Sequence, residues 1–152
     1  MIGNQPAESG DRLAWEIKAV AERLRRLSPA RLRMPWPPYP SRAQAGRMLA
    51  QRLADAASGV AARGADQPPE WREVPEIELF AVGEQVAVTG NDLVLELAGL
   101  SELDGAGARE AAIEAAGPLP GDTVIWTRTG RQPLSAVIDE LIATLRELRL
   151  GL

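Results

Sequence analysis

Neither histidine nor cysteine occurs anywhere in the 152-residue chain. The first absence removes the commonest general base and the commonest transition-metal ligand. The second removes disulfides, thiolate nucleophiles and zinc–sulfur sites. No apolar run approaches the roughly 20 residues that cross a bilayer. The opening residues lack the apolar core of a secretory signal, so a cytoplasmic protein is expected. Lysine is almost missing: Lys18 stands alone among 17 basic residues, the rest being arginine.

What is present reads as a folded protein. Apolar residues make up 45% and charged residues 25%, a globular composition. The length suits one domain, which buries about 68–70% of its unfolded surface without staples. Within a single domain, 1–152, the expected parts are a disordered tail over 1–8, a basic helical hairpin over 9–64 and an acidic strand–helix half over 65–152. Residues 1–64 carry 11 basic and 5 acidic side chains, and residues 65–152 carry 6 and 16, around an overall charge of −4. Halves of opposite sign either pack on each other or leave a basic face for an acidic partner.

The clearest pattern lies at the end of the chain. Leu134, Val137, Ile138, Leu141, Ile142, Leu145 and Leu148 recur at the helical period. They fill an arc of about 140°, with Asp139, Glu140, Arg146 and Glu147 outside it. Pro133 suits a first helical position, where its missing N–H is not needed. A stripe this broad has to be covered by other parts of the chain, which makes the helix the expected core. Before it, Thr123 to Thr127 reads as a short strand followed by a turn.

A first helix is expected from Ser9 or Asp11, either of which can cap it. Its seam is Leu13, Ile17, Val20, Leu24 and Leu27, about 80° wide, as two crossing helices share. Trp15 falls on the opposite side, to be covered by another segment or to anchor an interface. Five prolines between Ser28 and Pro40 stop the helix and favour extended or polyproline II backbone. Pro37-Pro38-Tyr39-Pro40 fits a short P-x-x-P pattern there, and Met34, Trp36 and Tyr39 are placed to pin the connector. Ser41 caps a second helix to about Arg63, with Ala45, Met48, Leu49, Leu53, Ala56 and Val60 as its buried face. Gly64 to Pro69 ends that unit.

The middle satisfies more than one period. Trp71 to Val82 looks extended and Glu84 to Thr89 resembles a strand. Asp92 to Leu100 fits either a helix capped by Asn91 or Asp92, which is favoured, or a strand paired through a Gly90-Asn91 turn. Gly83 to Thr89 echoes Gly121 to Thr127, which suggests two strand–helix units sharing a sheet. A short helix is expected over 107–116, and Gly117 to Asp122 reads as a turn.

No catalytic vocabulary assembles. Lys18 has no neighbouring serine motif, and neither a nucleophile elbow nor a Walker loop occurs. Gly105-Ala106-Gly107 lacks the third glycine of a dinucleotide cradle. Glu76/Glu78 and Glu102/Asp104 read as solvated charge rather than a cation site. Arg23 to Arg33 holds five arginines and no acid, a chemistry that suits phosphate, although the dipole at a helix C-terminus also favours cations there.

The fold expected is therefore α+β and mostly helical, an N-terminal helical hairpin packed on a small sheet with strand–helix units. The function expected is non-enzymatic: a protein–protein interaction, scaffold or accessory role, with a protein partner or a second copy in a homodimer. Its candidate contact residues are Trp15, Arg25, Arg26, Arg33, Trp36 and Tyr39. No cofactor or metal is expected. The alternative is nucleic-acid binding through Arg23 to Arg33, disfavoured by a pI of about 5.0. The third, a small-ligand binder or enzyme, requires a pocket with an apolar lining and converging polar atoms.

Overall fold

The computed structural model describes residues 6–99 and 119–152. The chain begins with helices α1 (Pro6–Arg26), α2 (Pro29–Arg33) and α3 (Arg42–Ala61). A 3₁₀ turn at Leu79–Ala81 leads into α4 (Val82–Leu97). Strands β1 (Val124–Thr127) and β2 (Gly130–Pro133) form an antiparallel hairpin, and α5 (Leu134–Gly151) closes the chain. The architecture is α+β and mostly helical, and no helix among the described residues is long and apolar enough to cross a membrane. The expected helix over 107–116, the Gly105–Gly107 loop, the Glu102/Asp104 pair and the first five residues lie outside the described residues.

The terminal stripe is buried as its spacing predicts: Leu134, Ile138, Leu141, Leu145 and Leu148 all lie in the core, with Val137 and Ile142 half-buried at its edge. Pro133 sits at the cap rather than inside the first turn. Ser41 caps α3 by accepting the Gln44 N–H at 3.1 Å, as its position predicts. The first helix starts earlier than expected, with Pro6 at its first position, where the missing N–H costs nothing.

Three readings of the sequence need correction. Glu84 to Thr89 is not a strand but part of α4, and Gly90-Asn91 is mid-helix rather than a hairpin turn. Packing decides this against local β-propensity. Val82, Val86, Leu93 and Leu97 line up on one buried face at the helical period. Two glycines let the helix lie close on α1: a Cβ at Gly83 would stand 2.9 Å from the Ala21 carbonyl oxygen, and one at Gly90 would stand 2.3 Å from Ile17 Cγ2. The sheet is therefore one hairpin, and the residues after Thr127 form its second strand. Gly130 carries a φ of 128°, which a side chain would resist.

Ser28 to Pro40 is the second correction. Ser28 caps a short helix by accepting from the Arg31 N–H. Trp36 and Tyr39 then bond each other's backbone in both directions, so the P-x-x-P segment folds back on itself instead of extending. Third, Met48 was expected in the core and is 39% exposed.

α1 approaches α3 where Leu24 meets Gly46, but the helix packed along both is α4. α5 lies against α1 and α3, and β1 lies against the C-terminal half of α3 at Gly59. This leaves a gap between α3, the hairpin and α5 that no apolar side chain among the described residues fills.

Candidate functional site

That gap is a groove of about 610 Å³. Its floor is apolar, built by Ala56 of α3, Ile125 of β1, and Val137 and Leu141 of α5. Its walls are polar, because the helical period that turns Leu49, Leu53 and Ala56 inward also turns Arg47, Gln51, Arg52 and Asp55 toward the opening. Glu140 and Thr144 supply the α5 wall, and the hairpin turn adds Arg128 and Thr129.

One side of the groove is a connected network. Arg128 grips Asp55 with both arms, Nε to Oδ2 at 2.7 Å and a terminal nitrogen to Oδ1 at 3.0 Å. The same nitrogen reaches Glu73 at 3.4 Å. These contacts, the hydrogen bond to Asp55 first, hold the Arg128 guanidinium above its ordinary pKa, with desolvation opposing them. Gln51 donates to Asp55 at 2.9 Å and so fixes the carboxylate from behind.

Gln51 also imitates a strand partner. Its Oε1 accepts from the Val74 N–H at 2.8 Å and its Nε2 donates to the Arg72 carbonyl at 2.9 Å. Arg47 donates to the Val74 carbonyl at 3.1 Å. The irregular chain over 65–78 is thereby tied to α3 through the backbone groups of Arg72 and Val74. Farther along, Trp126 Nε1 and Arg131 both donate to the Ala65 carbonyl, at 3.2 and 2.9 Å.

The opposite wall is sparser. Arg52 reaches the Thr144 hydroxyl at 3.5 Å, and Thr144 donates to the Glu140 carbonyl within α5. Arg52 and Thr144 also border a smaller depression of about 220 Å³ behind the turn Trp36–Tyr39. Among the described residues no three acidic side chains gather closely enough to hold a metal ion.

The residues singled out from the sequence lie elsewhere, and only Trp36 and Tyr39 are paired with each other. Trp15 is 58% exposed but carries the Arg149 guanidinium over its ring at 5.0 Å. Trp36 is half-buried against Gly151, with Arg42 at 5.7 Å from its ring centre, and Tyr39 is half-buried beside it. Trp71 and Trp126 are matched in the same way by Arg128 at 5.5 Å and Arg131 at 4.5 Å. All four tryptophans thus lie under arginines, a contact that contributes about 0.5–1 kcal/mol at an exposed site such as Trp15.

The basic stretch is partly occupied as well. Arg25 pairs with Glu84 at 2.6 Å and Arg23 donates to the Leu152 carbonyl, leaving Arg26, Arg31 and Arg33 exposed. The groove residues escaped the sequence reading because they come from three separated segments. The available signal was modest: Gln51 and Asp55, four apart, are polar breaks in an alanine-rich helix.

Comparison with protein-family models, with curated proteins and with solved structures finds no match to this chain.

Proposed function

We propose that the chain is a non-enzymatic binding protein and that the groove between α3, the hairpin and α5 is where it takes a small organic ligand. The observation behind this reading is the pairing of an apolar floor with polar walls in a space of about 610 Å³, inside the roughly 300–1,000 Å³ range of small-molecule sites. Binding is favoured over catalysis because the groove offers arginine, carboxylate, amide and threonine hydroxyl groups, with no histidine or thiol to activate a hydroxyl. Its most firmly held cation, Arg128, is pushed further from proton exchange by Asp55.

The test is a fragment screen on the isotope-labelled full chain, following the Trp126 indole and Met48 methyl signals. Saturable shifts confined to groove residues, abolished when Ala56→Trp fills the floor, are expected. A library that moves neither signal would refute the ligand reading.

A protein partner is the second reading, favoured by a different face. Met34, Ile77 and Phe80 are exposed, Phe80 by 66%, where α2 packs against the 3₁₀ turn. Phe80→Ser should then weaken any co-purifying partner without changing the monomer's stability.

A further inference from the structure

We infer that the ligand of this groove is an organic carboxylate whose head is received by Arg47 and Arg52 and whose apolar body lies over Ile125 and Leu141. The inference rests on reading the groove as a ligand site. It follows from which of the groove's charges are already matched. Arg128 is held by Asp55 on two bonds and by Glu73 on a third, so these three groups satisfy one another. Gln51 is committed to Asp55, Arg72 and Val74.

Two cations on the lining are left without a carboxylate within 4.0 Å among the described residues. Arg47 is half-buried and makes one bond, to the Val74 carbonyl, while its Nε is sealed from solvent with no partner. A partly desolvated guanidinium facing only a carbonyl is under-satisfied, and an anion relieves that more than any neutral acceptor does. Arg52 makes one contact, to the Thr144 hydroxyl at 3.5 Å, the outer limit of a hydrogen bond. It therefore gives up little by turning to a ligand.

Glu140 fixes the ligand's charge more narrowly. It is exposed on the α5 wall, four residues before the Thr144 that Arg52 touches, and forms no ion pair among the described residues. Asp55, Glu73 and Glu140 all stand on the lining, so repulsion grows with the ligand's negative charge and is smallest for a single negative head with a neutral apolar tail. A monocarboxylate fits better than a dicarboxylate or a phosphate ester.

Octanoate, octanol, octylamine and octyl phosphate, each titrated into the labelled full chain below its aggregation limit, provide the test. Octanoate is expected to shift the Trp126 indole at about tenfold lower concentration than octanol, the difference that charge-assisted bonds supply. Octylamine and octyl phosphate are expected to trail it. Arg52→Gln, at an exposed position, should bring octanoate down toward octanol while leaving octanol unchanged. Arg47→Gln should do the same, with a urea midpoint measured alongside because Arg47 also holds Val74. Octanol or octylamine binding as well as octanoate, octyl phosphate binding best, or octanoate keeping its affinity in both variants would overturn the carboxylate inference and leave the groove reading standing. If none of the four moves the indole, the groove reading fails and this inference with it.

Discussion

Gly59 of α3 and Trp126 of β1 are in backbone contact: a Cβ at position 59 would lie 2.0 Å from the Trp126 carbonyl oxygen. The hairpin is seated directly on the helix, and that contact sets one end of the groove. Gly→Ala inside a helix ordinarily gains up to about 1 kcal/mol from propensity. Here the neighbour is backbone and cannot rotate away, so overpacking of about 1–3 kcal/mol outweighs the gain. Gly59→Ala is expected to lower the urea midpoint and to shift the amide signals of 124–133. Gly10→Ala in α1, with nothing within 4 Å of the added carbon, is the control and should stabilise slightly.

Glu16 is 1% exposed, and Arg149 Nε donates to it at 2.6 Å, with Arg146 at 3.8 Å. A buried carboxylate is tolerable because these arginines come to it from α5. Glu16→Ala leaves Arg149 facing a cavity. A loss of about 2–3 kcal/mol is expected, below the full value for a buried pair because the Arg149 side chain keeps 22% exposure. Equilibrium unfolding measures it, and a loss under half a unit of that scale would show that the pair does not join α1 to α5.

Gln51 is the clamp on 65–78. Gln51→Leu keeps the volume but strands the Val74 N–H and the Arg72 carbonyl. Leaving such groups unpaired costs about 1–3 kcal/mol. Limited proteolysis should show faster cleavage within 65–78, while α1 and α5 stay protected. Unchanged cleavage would mean that the segment is held by other contacts.

The stability profile should be flat near neutrality. The chain lacks histidine and cysteine, the side chains that ordinarily titrate between about pH 6 and 9. Arg128 is raised above its ordinary value, chiefly by Asp55. Its folded pKa exceeds its unfolded one, so its contribution is complete below the unfolded value and disappears only as pH climbs through the folded one, far into alkali. Unfolding midpoints measured across pH 6 to 9 should coincide. A step in that window would reveal a titrating group that the fold has displaced.

Much of the framework was legible because local rules and burial agree there. The Leu134–Leu148 stripe is broad enough to specify a buried helix by period alone, and Ser41 caps α3 through a bond that spans three residues. Thr123 to Thr127 read as a strand because Val124-Ile125-Trp126-Thr127 favours extended backbone and is bounded by turns. In α4 local and tertiary preferences conflict. Val86 and Val88 suggest a strand and Gly90-Asn91 a turn, yet α1 needs a close-lying helical partner and finds it at Gly83 and Gly90.

The sequence by itself determined where α3 and α5 begin, which stripe of α5 turns inward, and that histidine and thiol chemistry are absent, since these depend on residue type and short-range spacing. Only the tertiary structure decided that α4 is one helix, that each tryptophan meets an arginine, and that α3, the hairpin and α5 leave a groove between them. The reason is distance along the chain. Asp55 and Arg128 lie 73 residues apart, as do no pair of positions in any local pattern, and their meeting exists only after the intervening segments have packed.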